Sequence, residues 1–447
     1  MSSPATGPDV VESTASAPVK TNSMKKVAFA SLMGTVIEFY DFNIYATAAA
    51  LVFAASFFPA LGDYAGSVVA FATLGVAFVA RPLGSILFGH FGDRLGRKRT
   101  LVATMTTMGV ATVLIGVLPT AAVIGVVAPI TLVILRIAQG LAAGGEWAGA
   151  ALFTSENAPT GRRGFWSMFT NLGGSIANIF ALGTFLLVAL FMSDETFANW
   201  GWRLPFLLSV VLFGVGLWVR LQLAETPVFA KEAKSGGTVK LPFAEAFRNQ
   251  WQQILLGAGA LLSAFGLGYI AVAYLPSFGA TALGFSRPEV LTAGVVGAFI
   301  QGIAIISGGV LSDRIGRRNV LLITNGLAVV WALILFPILE TNSLGAFWVG
   351  MIGTFIVCGL GFGVAGSFLS ELFATQYRYT AAGLAYSFAG VVGGAIPPLV
   401  AASVISVWGG PVFGFMLAGL CVVSVICTTV VKETRGRDLT KSPSRAN

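Results

Sequence analysis

The chain has 447 residues, 56% of them hydrophobic and only 10% charged, with 55 glycines, 35 phenylalanines and a mean hydropathy of +0.84. A water-soluble domain clothes itself with about 25% Asp, Glu, Lys and Arg, so this composition excludes an ordinary soluble fold and points to a chain that crosses a bilayer many times. The net charge of +8 suggests nucleic acid as a partner, but the basic residues cluster between apolar segments, where they act as topology signals.

Residues 1–26 are rich in Ser, Thr, Pro and Ala and read as a disordered tail. Six apolar spans follow near 27–57, 66–90, 100–119, 128–154, 165–191 and 203–223, and six more near 251–278, 290–311, 319–339, 345–371, 380–406 and 410–431. Each is long enough for the roughly 20 residues that a membrane helix needs. The expected fold is all-α and integral to the membrane, with twelve transmembrane helices in two six-helix halves, 27–223 and 251–431. A polar linker, 224–250, joins them, and 432–447 forms a second tail. Of the 27 Lys and Arg residues, all but Arg81, Arg136, Arg203, Arg220 and Arg287 fall in the tails and the even-numbered connections. By the positive-inside rule both termini are then cytoplasmic.

The halves repeat one another. Gly89 to Lys98, which carries Asp93, Arg94 and Arg97, recurs 220 residues later as Gly309 to Arg318 with Asp313, Arg314 and Arg317. Glu156 and Arg163 recur as Glu371 and Arg378, and Glu225-Thr226 recurs as Glu433-Thr434. Parallel repeats of this kind place a binding site at their interface near the midplane, with access alternating as the halves rock.

Within the first half, Gly34, Glu38, Asp41 and Tyr45 follow i, i+4, i+7, i+11 and share a helical face. Glu38 lies about 16 Å along its helix from Val27, near the middle of the hydrocarbon. Arg81 and Arg136 each fall about 12 Å deep. Charges at such depth are by default functional and partnered. Asp41, Glu38 and Glu146 are therefore candidates for proton coupling, with a permanent helix-tying ion pair as the alternative. Arg81 and Arg136 offer planar forks to an organic anion, or pair internally with Glu38, Asp41 or Glu146. Gln139 shares a face with Glu146. The second half has no charge inside its spans, so its contribution is neutral. Tyr269, Tyr274, Gln301, Asn325 and Tyr386 are candidates for hydrogen bonds to substrate, or for bonds between helices. The aspartates and arginines of the repeated loops, with Glu156, Arg163, Glu371 and Arg378, read as a gate.

The loop Gly-x-x-Gly-Asp93-Arg94-x-Gly-Arg97-Lys resembles the signature of the major facilitator superfamily, and its echo at Asp313 strengthens the likeness. Within that superfamily, Glu38-Phe-Tyr-Asp41-Phe, Arg81-Pro-Leu-Gly, Arg136-x-x-Gln139-Gly140, Gly144-Gly145-Glu146-Trp147 and Gly201-Trp202-Arg203-x-Pro205-Phe206 resemble the metabolite:proton symporters. The resemblance covers residues 27–435, departs mildly at Phe39, where the family often has Trp, and around Arg81 to Arg99 looks most like shikimate permeases. It implies a substrate role for Arg81 and a cytoplasmic latch that breaks on opening.

The expected function is a proton-coupled symporter in the cell membrane. It would import a small organic acid such as shikimate or a keto or dicarboxylate, working as a monomer with substrate contacts at Arg81, Arg136, Gln139, Tyr45, Tyr269, Gln301 and Tyr386. The rivals are a proline or betaine symporter, a proton-driven drug exporter and a membrane enzyme. The last is disfavoured because His90 is the only histidine and Cys358, Cys421 and Cys427 form no CxxC pair. No metal site is expected. No lysine follows a glycine, so the end of a P-loop is missing. The energy source is then the proton gradient, without a cofactor. Gly361 to Gly366 fits GxGxxG inside an apolar span, and with the GxxxG pairs at Gly140, Gly145 and Gly359 it reads as helix packing.

Overall fold

The computed structural model describes residues 23–95, 97–144, 146–222, 242–374, 378–437 and 439, with the backbone alone for 63, 89–95, 97–101, 219–222 and 242–246. Among the described residues every element is helical. The first half comprises α1 (Met24–Ala48), α2 (Gly62–Leu95), α3 (Arg97–Val117), α4 (Val127–Ala143), α5 (Glu146–Asn157), α6 (Arg163–Phe191) and α7 (Leu204–Gln222). The second comprises α8 (Pro242–Tyr269), α9 (Arg287–Ile315), α10 (Arg317–Leu339), α11 (Leu344–Leu372), α12 (Arg378–Ala389), α13 (Ile396–Trp408) and α14 (Gly410–Val430). α4 with α5, and α12 with α13, each make one crossing. Eleven helices are long and apolar enough to cross a membrane, and Val102–Val117 within α3 is a shorter apolar helix. The twelve expected spans are thus present. α8 begins at Pro242 and kinks at Gln250, so the end of the expected linker is helical.

α4 shows why these sequences form buried crossings. Val127, Ile130, Ile134 and Ile137 point outward, while Ala128, Leu132, Arg136, Gln139 and Gly140 are buried. In water that arrangement is inside out. In lipid it is the stable one, because an outward polar group finds no partner. The inward face is also small enough for close packing. A Cβ on Gly140 would press on the Ala77 backbone and one on Gly144 on the Arg81 carbonyl, which joins α4 to α2. The repeat does the same, with Gly363 against Ile305 and Gly309 where α11 crosses α9. The GxxxG pairs at Gly140 and Gly359 are helix contacts, as expected, and Gly145 lies outside the described residues.

The repeat extends to backbone irregularities. α1 passes into a π-turn at Ala49–Phe53 and α8 into one at Ile270–Tyr274, 221 residues later. Such turns shift the register of a helix and often sit at functional positions. A third, Gly390–Ala395, links α12 to α13.

The halves meet along inward faces. α6 packs on α9 and α11, α5 on α12, and α2 on α12 and α13. Polar bonds tie the seam: Ser175 Oγ donates to the Ala298 carbonyl at 2.7 Å and Asn171 Nδ2 to the Phe362 carbonyl at 2.8 Å. Replacing Gly140 by alanine is expected to destabilise the protein by about 1–3 kcal/mol through overpacking. Thermal melting in detergent should fall for that variant and stay unchanged for Gly183→Ala, whose added methyl meets nothing within 4 Å.

Candidate substrate and coupling site

The acidic face of α1 is turned into the protein, with Glu38 and Asp41 1% and 4% exposed. Glu38 pairs with Arg81 of α2 at 3.4 Å. The Arg81 guanidinium also lies 4.0 Å from the centre of the Phe42 ring and 5.2 Å from that of Phe78. Aromatic faces of this kind stabilise a desolvated cation. The internal pairing that the sequence left open is therefore the arrangement for Glu38 and Arg81.

Arg136 is handled differently. It is fully buried, and no carboxylate lies within ion-pairing distance of it among the described residues. Its Nη1 donates to Gln139 Oε1 at 2.8 Å, one turn along α4. The guanidinium sits 3.7 Å from the centre of the Tyr45 ring, whose hydroxyl bonds Thr73 at 2.6 Å. Nε and Nη2 of Arg136 have no hydrogen-bond partner. Gln139 Nε2 donates onward to Thr112 Oγ1 at 2.6 Å. That hydroxyl donates to the Met108 carbonyl at 2.9 Å and lies against the Asp41 carboxyl. Hydrogen bonds thus run from Arg136 through Gln139 to Thr112, which stands beside Asp41, and bring α4, α3 and α1 together. Glu146, buried at the start of α5, acts electrostatically on Asp41.

A narrow cavity of about 50 Å³ opens between the halves. Asn43, Asn171, Ser175 and Asn178 line it from the first half, and Tyr269, Gln301 and Tyr386 from the second. Three of the expected substrate residues, Tyr269, Gln301 and Tyr386, therefore reach it. Arg81, Arg136, Gln139 and Tyr45 are not among its lining residues. Phe39, which does line it, lies on the Arg81 side, 5.9 Å from the guanidinium. Asn325 and Tyr274 also stay away. Asn325 bonds Ser263, Ala260, Ser424 and Thr428, tying α8, α10 and α14 together, and Tyr274 packs among Phe71, Phe278, Phe336 and Phe413.

Sequence reading missed Asn43, Asn171 and Asn178. Asparagines in an apolar span were a visible signal, but charge drew attention first. Tyr386 stacks flat on Trp147 at 3.5 Å, and Trp147 Nε1 donates to Asn171 at 3.2 Å, so α12, α5 and α6 share one polar and aromatic knot.

On one face of the bundle the repeated loops form a lattice of bonds. Asp313, at the end of α9, accepts from the backbone amides of Gly164 and Phe165, both at 2.8 Å, and so caps the N-terminus of α6 from the opposite half. A carboxylate there meets the positive end of the helix dipole. Arg317 holds Asp313 at 2.8 Å and Glu371 at 3.1 Å. Glu371 also faces Arg163 at 3.7 Å, and by the repeat Arg378 pairs with Glu156 at 3.2 Å. The Arg314 side chain is exposed and enters none of these pairs, against expectation. The side chains of Asp93, Arg94 and Arg97 lie outside the described residues.

Glu433 belongs to the same lattice and was read only as a repeat marker. Its carboxylate accepts from the amides of Arg317 at 2.9 Å and Arg318 at 3.1 Å, capping α10. Gly316, at φ +100°, leaves the space, since a Cβ there would collide with that carboxylate. Arg163 donates to the Arg437 carbonyl at 2.6 Å and Arg378 to that of Leu439 at 3.0 Å, so the segment after α14 straps both halves together. The opposite face has its own bridge, Arg287 to Asp194 at 2.5 Å.

Comparison with known proteins accords with this architecture. The family model described as Major Facilitator Superfamily matches residues 31–397 and 298–446. The inner membrane metabolite transport protein YhjE of Escherichia coli K12 is 43% identical, over 94% of this chain and 96% of that one. The shikimate transporter of the same organism is 36% identical, over 92% and 95%, and its proline/betaine transporter 31%, over 94% and 86%. Among solved structures, the proton:xylose symporter XylE bound to 6-bromo-6-deoxy-D-glucose superposes with a TM-score of 0.74 at 16% identity, covering 93% of this chain and 97% of that one. The chain is therefore a multi-pass membrane protein and a transporter of metabolites rather than an enzyme, and it belongs to the Major Facilitator Superfamily.

Proposed function

We propose that the protein is a proton-coupled symporter that imports a small organic acid by alternating access, working as a monomer and without a cofactor. The division is two bundles, 27–223 and 251–431, joined by 224–250 and flanked by the tails 1–26 and 432–447. The face carrying Arg163 and Arg378, with both termini, is cytoplasmic. The observation that carries this reading is the buried charge cluster in the first half: Glu38, Asp41 and Glu146 with Arg81 and Arg136.

Charge accounting supports coupling. With all five groups ionised the cluster has one excess negative charge. An anion alone would make that two, which a low-dielectric site opposes. An anion accompanied by one proton restores the starting value, so the loaded and the empty carrier reorient under the same charge. Asp41 is the group best placed to take the proton. The Thr112 hydroxyl has one hydrogen and two claimants, the Met108 carbonyl and the Asp41 carboxyl. A protonated Asp41 donates to Thr112 and leaves the carbonyl its partner, whereas an ionised Asp41 takes the hydrogen for itself. Arg136, two hydrogen bonds from Thr112 and with free donors, is positioned to respond.

The lattice around Asp313 serves as the cytoplasmic latch, and its strap, residues 432–437 with Leu439, holds it shut. Arg287 with Asp194 serves on the other side. The cavity is far below the several hundred Å³ of an ordinary ligand pocket, which fits a contracted stage of the cycle.

A proline or betaine symporter is the second reading, favoured by the 31% identity to such a transporter. Uptake of labelled shikimate, 2-oxoglutarate and glycine betaine into proteoliposomes separates the two. Concentrative uptake of an acid only under an inward proton gradient is expected, and uptake of betaine alone would overturn the proposal. Asp41→Asn is expected to abolish accumulation against a gradient while retaining exchange of substrate at equilibrium. Full gradient-driven accumulation by that variant would remove Asp41 from the coupling path.

The latch makes a separate prediction. Asp313→Asn weakens a helix-capping carboxylate by about 1–2 kcal/mol, which shifts the balance between conformers about 5–30-fold towards the form open at this face. Thiol labelling of a cysteine introduced at Ser167, buried where α6 meets Gly366 of α11, should accelerate accordingly, and uptake should slow at unchanged protein level.

A further inference from the structure

The central cavity contains polar groups that the charge-based reading does not use. Asn178 is 2% exposed, and both its Nδ2 and its Oδ1 lack a hydrogen-bond partner. Tyr386, 3% exposed, has an unpartnered hydroxyl. The two residues come from opposite halves, α6 and α12, and line the same cavity. Buried amides and phenols are almost always paired, and leaving three such atoms unmatched at one place is costly unless something visits them.

The chemistry of the visitor follows from the groups. The primary amide of Asn178 presents a donor and an acceptor side by side. A hydroxyl answers both, giving its hydrogen to Oδ1 and accepting one from Nδ2. A carboxylate answers the donor and is repelled by Oδ1, and a quaternary ammonium answers neither. The Tyr386 hydroxyl also donates and accepts. The same cavity is also lined by Phe39, Phe362, Val272 and Ile305, apolar groups that suit the carbon faces of a ring.

From this we propose that Asn178 and Tyr386 read hydroxyl groups on the substrate, so that the transported acid is a hydroxylated, ring-sized carboxylate rather than a bare carboxylate or a betaine. The inference rests on the organic-acid reading above and narrows it. Water fits the same groups when no solute is present, and a ligand hydroxyl reproduces those bonds on displacing it.

Binding to the purified full-length protein tests the idea with three probes: shikimate, cyclohex-1-ene-1-carboxylate, which keeps the ring and carboxylate without hydroxyls, and glycine betaine. Shikimate is expected to bind at least about tenfold more tightly than the bare ring acid, the loss typical of an unanswered buried polar group. Asn178→Leu should erase most of that ratio. Tyr386→Phe, which keeps the ring stacked on Trp147, should reduce it about threefold or more and guards against misfolding of the first variant. Equal binding of the two acids, or a ratio unchanged in both variants, overturns hydroxyl recognition and leaves organic-acid transport standing. Betaine binding more tightly than either acid, or no binding of any probe, overturns both readings together.

Discussion

A bilayer solvates no charge, and the rest of this molecule follows from how it keeps five ionisable side chains in its first half out of lipid. They occupy the faces of α1, α2, α4 and α5 that point inward, and the outward faces carry Val, Ile, Leu and Phe. Burial alone would still be expensive. Arg81 offsets it with one carboxylate and the rings of Phe42 and Phe78, whereas Arg136 has one amide oxygen and the rings of Tyr45 and Phe42, with no carboxylate in reach among the described residues. The second cation is the less compensated of the two. Truncating Tyr45 or Gln139 would therefore cost more than the contact itself, because a buried charge would lose one of its few partners.

The repeat distributes labour unevenly between halves that share a backbone plan. Both have a π-turn within their first span and the glycine-mediated crossing of their second and fourth. Both end helices in the loop that carries an aspartate and arginines. Yet among the described residues the second half keeps its ion pairs at the two membrane faces, with Arg317 and Glu371 buried against the strap at one and Arg287 meeting Asp194 at the other. Its contribution to the midplane is neutral: Gln301, Tyr269 and Tyr386. An ion pair at the end of a bundle can hold a conformer shut and still be reached by water when it breaks. A charge at the midplane must be matched in every conformer, which is why the two kinds sit at different depths.

Helical periodicity made the inward faces legible in the sequence, and lipid made them unambiguous: Glu38, Asp41, Arg81, Arg136 and Gln139 are all buried as their spacing required. Glycine spacing likewise announced the crossings. What periodicity does not carry is which inward residue finds a partner. Asn325 and Asn178 are both asparagines in apolar helices, yet one makes four polar contacts to Ser263, Ala260, Ser424 and Thr428 while the other makes none. That difference depends on how three or four helices stack, information spread over more than a hundred residues of chain. Glu433 was hidden for a similar reason. Its position after the last span marked it as polar, but only the fold brings it to the amides at the start of α10.

The layering of the centre bears on how ions and solute would be coupled. The neutral cavity groups and the charged groups are adjacent without being shared: Phe39 stands between the cavity and Arg81, and Tyr45 covers Arg136. A solute carboxylate in the contracted cavity would therefore meet amides and hydroxyls first and a guanidinium only after an aromatic side chain moves. Phe39 and Asp41 are two residues apart on α1, so a small rotation or register change of that helix alters both the screen and the proton site. The π-turn at Ala49–Phe53 lies on the same crossing, little more than two turns beyond Asp41, and a helix interrupted there can twist without dragging its far end. Coupling would then need no long relay. On the proposed reading, one helix would carry the proton acceptor, the screen in front of the cation and the backbone irregularity that would let both turn together.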